Sequence, residues 1–207
     1  MKKVLLIALA LAASASAVYV HADAAGDAGK NKAATCGACH GMDGNSTNPQ
    51  FPKLAGQNAS YIQAELAAFK SGKRQNAIMA GQAAGLSDQD MQALAAYFSS
   101  QTVVVGEAVP GQVKQGEQLY RNGNAGEDVP ACLACHSPDG AGNALMKVPA
   151  LAGQHAAYVM AQLQNYANGS RSTDPNKMME TIASRLTPAE IQAVASYIEG
   201  LHRAAAQ

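Results

Sequence analysis

Several residue types that usually support a fold are scarce in this chain. Its 207 residues contain no Trp, 5% aromatics and four cysteines, and 15 basic residues balance 15 acidic ones. β-Branched residues hardly alternate, which argues against a sheet, and there is no basic stripe of the kind that binds nucleic acid. Two small domains of this composition would have thin cores. Each would need a disulfide, a metal or a cofactor to hold it together.

The N-terminus has the pattern of a secretory signal. Residues 1–3 are positively charged at two positions, residues 4–13 are apolar, and small residues then allow cleavage after Ala17 or after Ala22. We favour Ala22, because a polar, helix-forming run follows it. An uncleaved membrane anchor is the alternative, although the second half of the apolar stretch is mostly Ala and Ser. Removing a signal peptide of residues 1–22 leaves 13 basic and 15 acidic residues, a formal charge of −2.

An internal repeat divides the rest of the chain into two halves. Cys36-Gly37-Ala38-Cys39-His40 recurs 96 residues later as Cys132-Leu133-Ala134-Cys135-His136. Other identities recur at offsets of 97 to 100 residues: Pro52/Pro149, Gln57/Gln154, Tyr61/Tyr158, Arg74/Arg171, Leu86/Leu186 and Tyr97/Tyr197. The small slips fall in stretches rich in Gly, Asn and Pro, where loops tolerate insertions. The sequence predicts two domains at 23–102 and 114–207, joined by a linker at 103–113.

Each half reads as three helices with long loops, so we predict an all-α fold. Residues 59–70 place apolar side chains at helical spacing. Ser87 and Thr187 are predicted N-caps, each followed by an acidic residue three positions later and an apolar stripe. Between the helices, the stretch around Met79 is predicted to be a loop. Val103-Val104-Val105 is interpreted as a connector that lies against the domain interface.

All four cysteines lie in the two CxxCH motifs. Cysteines at i and i+3 on one helical turn point the same way, so both sulfurs can add to the vinyl groups of one haem. The His that follows then brings an imidazole over the iron, which is why the motif signals c-type haem attachment. The sequence therefore predicts two covalently bound haems c, held by Cys36 and Cys39 and by Cys132 and Cys135. The iron ligands on this side are His40 and His136.

Three other uses of the cysteines fit the sequence less well. Two CxxC pairs can form a tetrahedral zinc site, but the chain would then fold as one unit around it. A thioredoxin-like motif needs a βαβ neighbourhood, which the pattern lacks. Disulfides suit an exported protein, yet cysteines three residues apart close too short a loop to stabilise a domain much.

Methionine is the expected ligand on the opposite face of each iron, where it closes the site and raises the potential. In the first half Met79 fits, about 40 residues after the His. In the second half Met178 and Met179 are adjacent, and Met179 matches Met79 because both precede the repeated Leu by seven residues. Pro52 and Pro149 either accept a hydrogen bond from the axial His or simply shape a turn.

The motifs also carry a family resemblance. CGACHGMDGN, FPKLAGQ and LSDQDMQALAAYFSSQ in the first half, with CLACHSPDGAGN and PALAGQHAAY in the second, closely resemble dihaem cytochrome c4. The resemblance covers essentially the whole mature chain and differs in loop lengths before the methionines. It implies two class I cytochrome c domains related by a pseudo-twofold axis. It also implies His/Met ligation by the matching residues His40, Met79, His136 and Met179.

The predicted function is electron transfer in the periplasm rather than catalysis, because irons with two protein ligands have no position left for a substrate. We expect redox proteins as partners, with a quinol-oxidising complex as donor and, as the resemblance implies, a terminal haem-copper oxidase as acceptor. No nucleic acid or small-molecule substrate is expected, and peripheral membrane association stays open. The alternatives are a dihaem peroxidase, which needs one open iron position, and a haem subunit of a periplasmic dehydrogenase.

Overall fold

The computed structural model describes residues 29–203. In that range helices are joined by loops and no strand beyond two isolated bridges occurs, which confirms the all-α prediction. The first half holds four helices: α1 (29–40), α2 (Ala59–Lys70), α3 (Ala77–Ala84) and α4 (Asp88–Ser99). The second half holds five: α5 (Pro110–Asn122), α6 (Leu133–His136), α7 (Ala156–Ala167), α8 (Met178–Ala183) and α9 (Pro188–Glu199). The signal-peptide prediction lies outside the described residues. Helix α5 begins within the stretch 103–113 that the sequence assigned to a linker.

In each half the first and last helices cross at a glycine. A Cβ on Gly29 of α1 would lie 2.2 Å from the Ala93 carbonyl oxygen of α4. A Cβ on Gly116 of α5 would lie 2.2 Å from the Ala193 carbonyl oxygen of α9. Both distances are too short for any side chain, so only glycine permits this backbone-to-backbone approach. No motif in the sequence marks either residue.

The last helix of each half begins at the predicted cap. The Ser87 hydroxyl accepts from the Asp90 backbone N–H at 3.1 Å, and the Asp90 carboxylate accepts from the Ser87 N–H at 2.9 Å. Thr187 and Glu190 form the same reciprocal pair at the start of α9. These bonds satisfy backbone donors that the first turn of a helix leaves unpaired. The apolar stripes that follow are buried, with Phe98 1% exposed.

The segments that carry the candidate methionines differ from the prediction, because both are helical. Met79 lies in the first turn of α3, where the Asn76 side chain accepts from the Met79 N–H at 2.9 Å. Met179 lies in the first turn of α8, where its N–H donates to the Asp174 carboxylate. Helices of eight and six residues are too short to show apolar periodicity. A side-chain cap from Asn76 marks the start of α3, whereas the N-cap residue of α8, Lys177, makes no side-chain capping bond.

The two domains meet through paired contacts that follow the repeat. Arg74 donates to the Tyr158 hydroxyl at 2.9 Å, and Arg171 donates to the Tyr61 hydroxyl at 2.9 Å. The connector also lies against this interface, as predicted. The Lys53 ammonium of the first domain donates to the Val104 carbonyl, and Gly153 of the second domain lies beside Val103 and Val105. None of the helices within residues 29–203 is both long and apolar enough to span a bilayer.

Candidate haem sites

Each CxxCH motif forms one helical turn. Cys36, Cys39 and His40 form the C-terminal end of α1, whereas Cys132 caps α6 and Cys135 and His136 lie within it. None of the four cysteines is paired in a disulfide, and all four are partly exposed. Burial raises the pKa of Cys36 above its usual value and that of Cys132 to about 11. The two cysteines of each motif therefore present their sulfurs from one helical turn, as attachment to a single porphyrin requires.

The axial candidates His40 and His136 are buried, each 7% exposed, and their rings are held in one orientation. His40 Nδ1 lies 2.8 Å from the Pro52 carbonyl oxygen, and His136 Nδ1 lies 3.0 Å from the Pro149 carbonyl oxygen. A carbonyl only accepts, so the proton must be on Nδ1 in both rings. Each Nε2 then keeps a lone pair for a metal. Of the two roles considered for Pro52 and Pro149, the structure therefore shows acceptance of a hydrogen bond from the His.

The protonation of these rings suits metal binding. Burial lowers the pKa of His40 and of His136 below the usual histidine value, and the bonds to Pro52 and Pro149 offset part of that effect. Desolvation disfavours the imidazolium because a charge is costly away from water. Both rings are therefore neutral at neutral pH, in the form that ligates iron.

The methionines occupy matching positions in the two halves. Met79 and Met179 are both partly buried in the first turn of their helices. The residue before each is exposed: Ile78 to 59% and Met178 to 47%. In the repeat, Met178 therefore corresponds to Ile78, whose side chain has no atom that could bind iron. The choice of Met79 and Met179 as iron ligands stays a prediction, because it concerns bonds to a group outside the protein.

The two CxxC pairs lie in different domains, on α1 and at α6. Within residues 29–203, no three His, Cys, Asp or Glu side chains come together as a metal-binding group. The arrangement offers two separate sites, each built around one buried His. This pattern suits two iron porphyrins, each of which brings four ligand nitrogens of its own.

The domain interface holds more positive than negative charge. Arg74 and Arg171 are 8% and 5% exposed, and both contact the carboxylate of Glu65. Around these two guanidinium groups, the described side chains supply one carboxylate, since Glu65 is matched in the repeat by Gln162. Arginine stays protonated even when buried. The excess positive charge can pair with the carboxylates that a haem carries, so the residues present are compatible with haem.

Two kinds of residue that join the domains carry no functional motif in the sequence. His155 has no equivalent in the first half, so the repeat indicates no role for it, yet it is buried and its Nε2 lies 2.8 Å from the Ser46 carbonyl oxygen. Gln57 and Gln154 were noted only as a repeated pair, and both side chains bond across the interface. Their identity in the two copies was the available signal, but repetition does not reveal which residues meet.

Two tandem helical domains, each with a CxxCH turn and a buried neutral His, define a two-haem c-type cytochrome. The family model described as Cytochrome c matches residues 26–102 and again residues 113–202. The chain therefore belongs to the cytochrome c family.

Similar proteins narrow this placement. Cytochrome c4 of Pseudomonas aeruginosa is 51% identical over 184 residues, covering 87% of this chain and 92% of that protein. The crystal structure of reduced recombinant cytochrome c4 from Pseudomonas stutzeri has a TM-score of 0.83 at 46% identity, covering 86% of this chain and 98% of that one. A thiosulfate dehydrogenase electron acceptor of Thiomonas intermedia is 40% identical, covering 88% of this chain and 85% of that protein. The resemblance to cytochrome c4, the tandem class I domains and the two covalent haems c are thereby confirmed. The chain is an electron-transfer protein that exchanges electrons with other proteins.

Proposed function

We propose that this protein carries electrons in the periplasm with His40 and Met79 as the iron ligands of the first haem and His136 and Met179 as those of the second. Cys36 and Cys39 would form the thioether links in the first domain, and Cys132 and Cys135 those in the second. The observation that supports this most directly is the ring orientation of the two histidines. Because Nδ1 of each ring donates its proton to a proline carbonyl, Nε2 carries the lone pair that can bind iron.

The protein's own groups then do three things. The bonds to Pro52 and Pro149 hold the Nδ1 protons and stop the rings from turning, which keeps the ligand geometry the same in both oxidation states. The buried apolar helices around each site exclude water. When bound, haem supplies an iron that accepts and releases one electron. Because Met79 and Met179 would close the remaining positions, the protein passes electrons on without binding a substrate.

The compartment follows from the N-terminus. Residues 1–22 have the composition of a secretory signal, and covalent haem c is attached to exported chains. We propose that the mature protein begins at Asp23 and works in the periplasm. N-terminal sequencing of protein recovered from a periplasmic fraction tests this, and a start at Val18 would instead support cleavage after Ala17.

For the partners, we propose a quinol-oxidising complex as donor and a terminal haem-copper oxidase as acceptor. A second candidate donor has its own support, since a relative 40% identical over 188 residues is a thiosulfate dehydrogenase electron acceptor. That name would make this chain the acceptor for a periplasmic dehydrogenase rather than for a quinol-oxidising complex. Stopped-flow reduction of the oxidised protein by each purified donor, at equal driving force, distinguishes the two.

A matched pair of variants tests the ligand assignment. Met179→Leu should abolish the sulfur-to-iron charge-transfer band of the second haem and let the reduced iron bind carbon monoxide. Met178→Leu, one residue away and exposed, should leave both haems closed. The reverse result would assign Met178 as the ligand. Carbon monoxide binding by the unmodified reduced protein would favour a peroxidase-like enzyme with an open iron.

A further inference from the structure

Two buried glutamines make the same pair of bonds in opposite directions across the domain interface. Gln154 of the second domain accepts from the Lys53 N–H at 2.9 Å and donates to the Lys53 carbonyl at 2.9 Å. Gln57 of the first domain accepts from the Ala150 N–H at 2.7 Å and donates to the Ala150 carbonyl at 2.9 Å. Both side chains are nearly inaccessible to water, at 7% and 8% exposure.

The peptide groups that they bind are the ones that hold the axial histidines. The N–H of Lys53 belongs to the same peptide unit as the Pro52 carbonyl, which accepts from His40 Nδ1 at 2.8 Å. In the second domain, the N–H of Ala150 shares a peptide unit with the Pro149 carbonyl, which accepts from His136 Nδ1 at 3.0 Å. One peptide group therefore separates each axial His from a side chain of the other domain.

The orientation of each glutamine amide is set by its neighbours. The Oε1 atom of Gln154 also accepts from the His155 N–H at 3.0 Å, and that of Gln57 accepts from the Asn58 N–H at 2.9 Å. Each oxygen thus faces two N–H donors. A flipped amide would point its NH₂ at both of them, so the network allows a single assignment.

Hydrogen bonds through one amide strengthen each other. When the N–H of a peptide group donates a hydrogen bond, negative charge shifts onto the carbonyl oxygen of the same group. The hydrogen bond that this oxygen accepts becomes stronger by about 10–30%. A stronger acceptor draws the Nδ1 proton further from the imidazole ring, which makes Nε2 more electron-rich. A more basic ligand favours oxidised iron and lowers its reduction potential.

We propose that Gln154 and Gln57 are positioning residues through which each domain tunes the haem of the other. Gln154 lowers the potential of the first-domain haem through the Pro52–Lys53 peptide. Gln57 lowers that of the second-domain haem through the Pro149–Ala150 peptide. The inference rests on the proposed axial roles of His40 and His136. It makes the potential of each haem depend on correct docking of the two domains.

Gln154→Met and Gln57→Met are the matched test, because Met has a similar length and volume but makes neither bond. In the holoprotein, Gln154→Met should shift the midpoint potential of the first-domain haem upwards and leave the second nearly unchanged, and Gln57→Met should do the opposite. Optical redox titration measures both potentials, and NMR of the ligand resonances assigns them to domains. A second readout is solvent exchange of the His40 Nδ1 proton, which should change in Gln154→Met and not in Gln57→Met.

Ser60→Ala is the control for domain contact alone. Its hydroxyl donates to the Ala144 carbonyl of the other domain, away from either Pro–X peptide, so its loss should move neither potential. If Gln154→Met fails to assemble with two haems, Gln154→Glu keeps an acceptor for the Lys53 N–H. In that variant the potential of the first-domain haem should fall rather than rise.

Equal shifts of both haems in either Gln→Met variant, or a larger shift in the haem of the substituted domain, would overturn the proposal. So would unchanged potentials in a correctly docked variant. Failure of the proposed function looks different, because the unmodified protein would then lack two haems with His/Met spectra.

Discussion

Gly116 in α5 offers a stability test whose size can be worked out from the structure. In Gly116→Ala the new methyl would lie 2.2 Å from the Ala193 carbonyl oxygen and 2.6 Å from the Tyr197 Cβ. Ordinary contact begins near 3.4 Å, so α5 and α9 must separate by about 1 Å. The atom that is met belongs to the backbone of a helix and cannot move aside as a flexible side chain would.

The expected cost combines two opposing effects. Overpacking a well-packed site costs about 1–3 kcal/mol, and the rigid neighbour places this site at the upper end. Alanine favours a helix over glycine by about 1 kcal/mol. The net loss should therefore be about 2 kcal/mol in the free energy of unfolding of the second domain.

Gly111→Ala is the control on the same helix. A Cβ at Gly111 meets nothing within 4 Å, so this variant should keep or slightly raise the stability. Urea unfolding of the holoprotein, followed by circular dichroism and by haem absorbance, measures both variants. Equal stability of Gly116→Ala and Gly111→Ala would refute the proposed close crossing of α5 and α9.

Two further predictions concern the first domain. Met79→Ala should lower the midpoint potential of one haem and open its iron to carbon monoxide, and an equal response of both haems in a redox titration would contradict the two-site arrangement. Hydrogen bonds from Lys32, the larger cause, and from Ser87 lower the pKa of Asp90 from 3.8 to about 2. Between these two pH values the folded protein therefore binds fewer protons than the unfolded chain. The stabilising contribution of Asp90 is therefore present above pH 4 and lost as the pH falls towards 2. Asp90→Asn should be less stable than the unmodified protein at neutral pH but lose less stability on acidification, as urea midpoints across this range would show, and parallel curves would refute the assignment.

Local patterns predicted the elements whose signals are short-range. The cap at Ser87 and the apolar spacing of residues 59–70 depend on neighbours within one or two helical turns, and α4 and α2 have the expected starts. The helices that carry Met79 and Met179 were missed because the residues that bond to their first turns, Asn76 and Asp174, resemble ordinary loop residues. Their helical state depends on a few capping bonds that have no periodic pattern in the sequence.

The close helix crossings could not be read from the chain either. Gly29 is one of 19 glycines, and nothing near it in sequence indicates that Ala93 passes within contact distance. The contact of His155 is hidden for a related reason. Its partner, the Ser46 carbonyl, lies 109 residues earlier, and a repeat comparison finds equivalent positions rather than touching ones.

The sequence by itself determined the chemistry of attachment, because CxxCH places two thiols and an imidazole on one helical turn wherever that turn lies. It also determined the duplication, which is written in matching residues. Only the tertiary structure decided the hydrogen-bond surroundings of each ligand. The Pro52 carbonyl reaches His40, and Gln154 reaches the same peptide from 101 residues away, since such contacts depend on how two domains dock and not on local propensity.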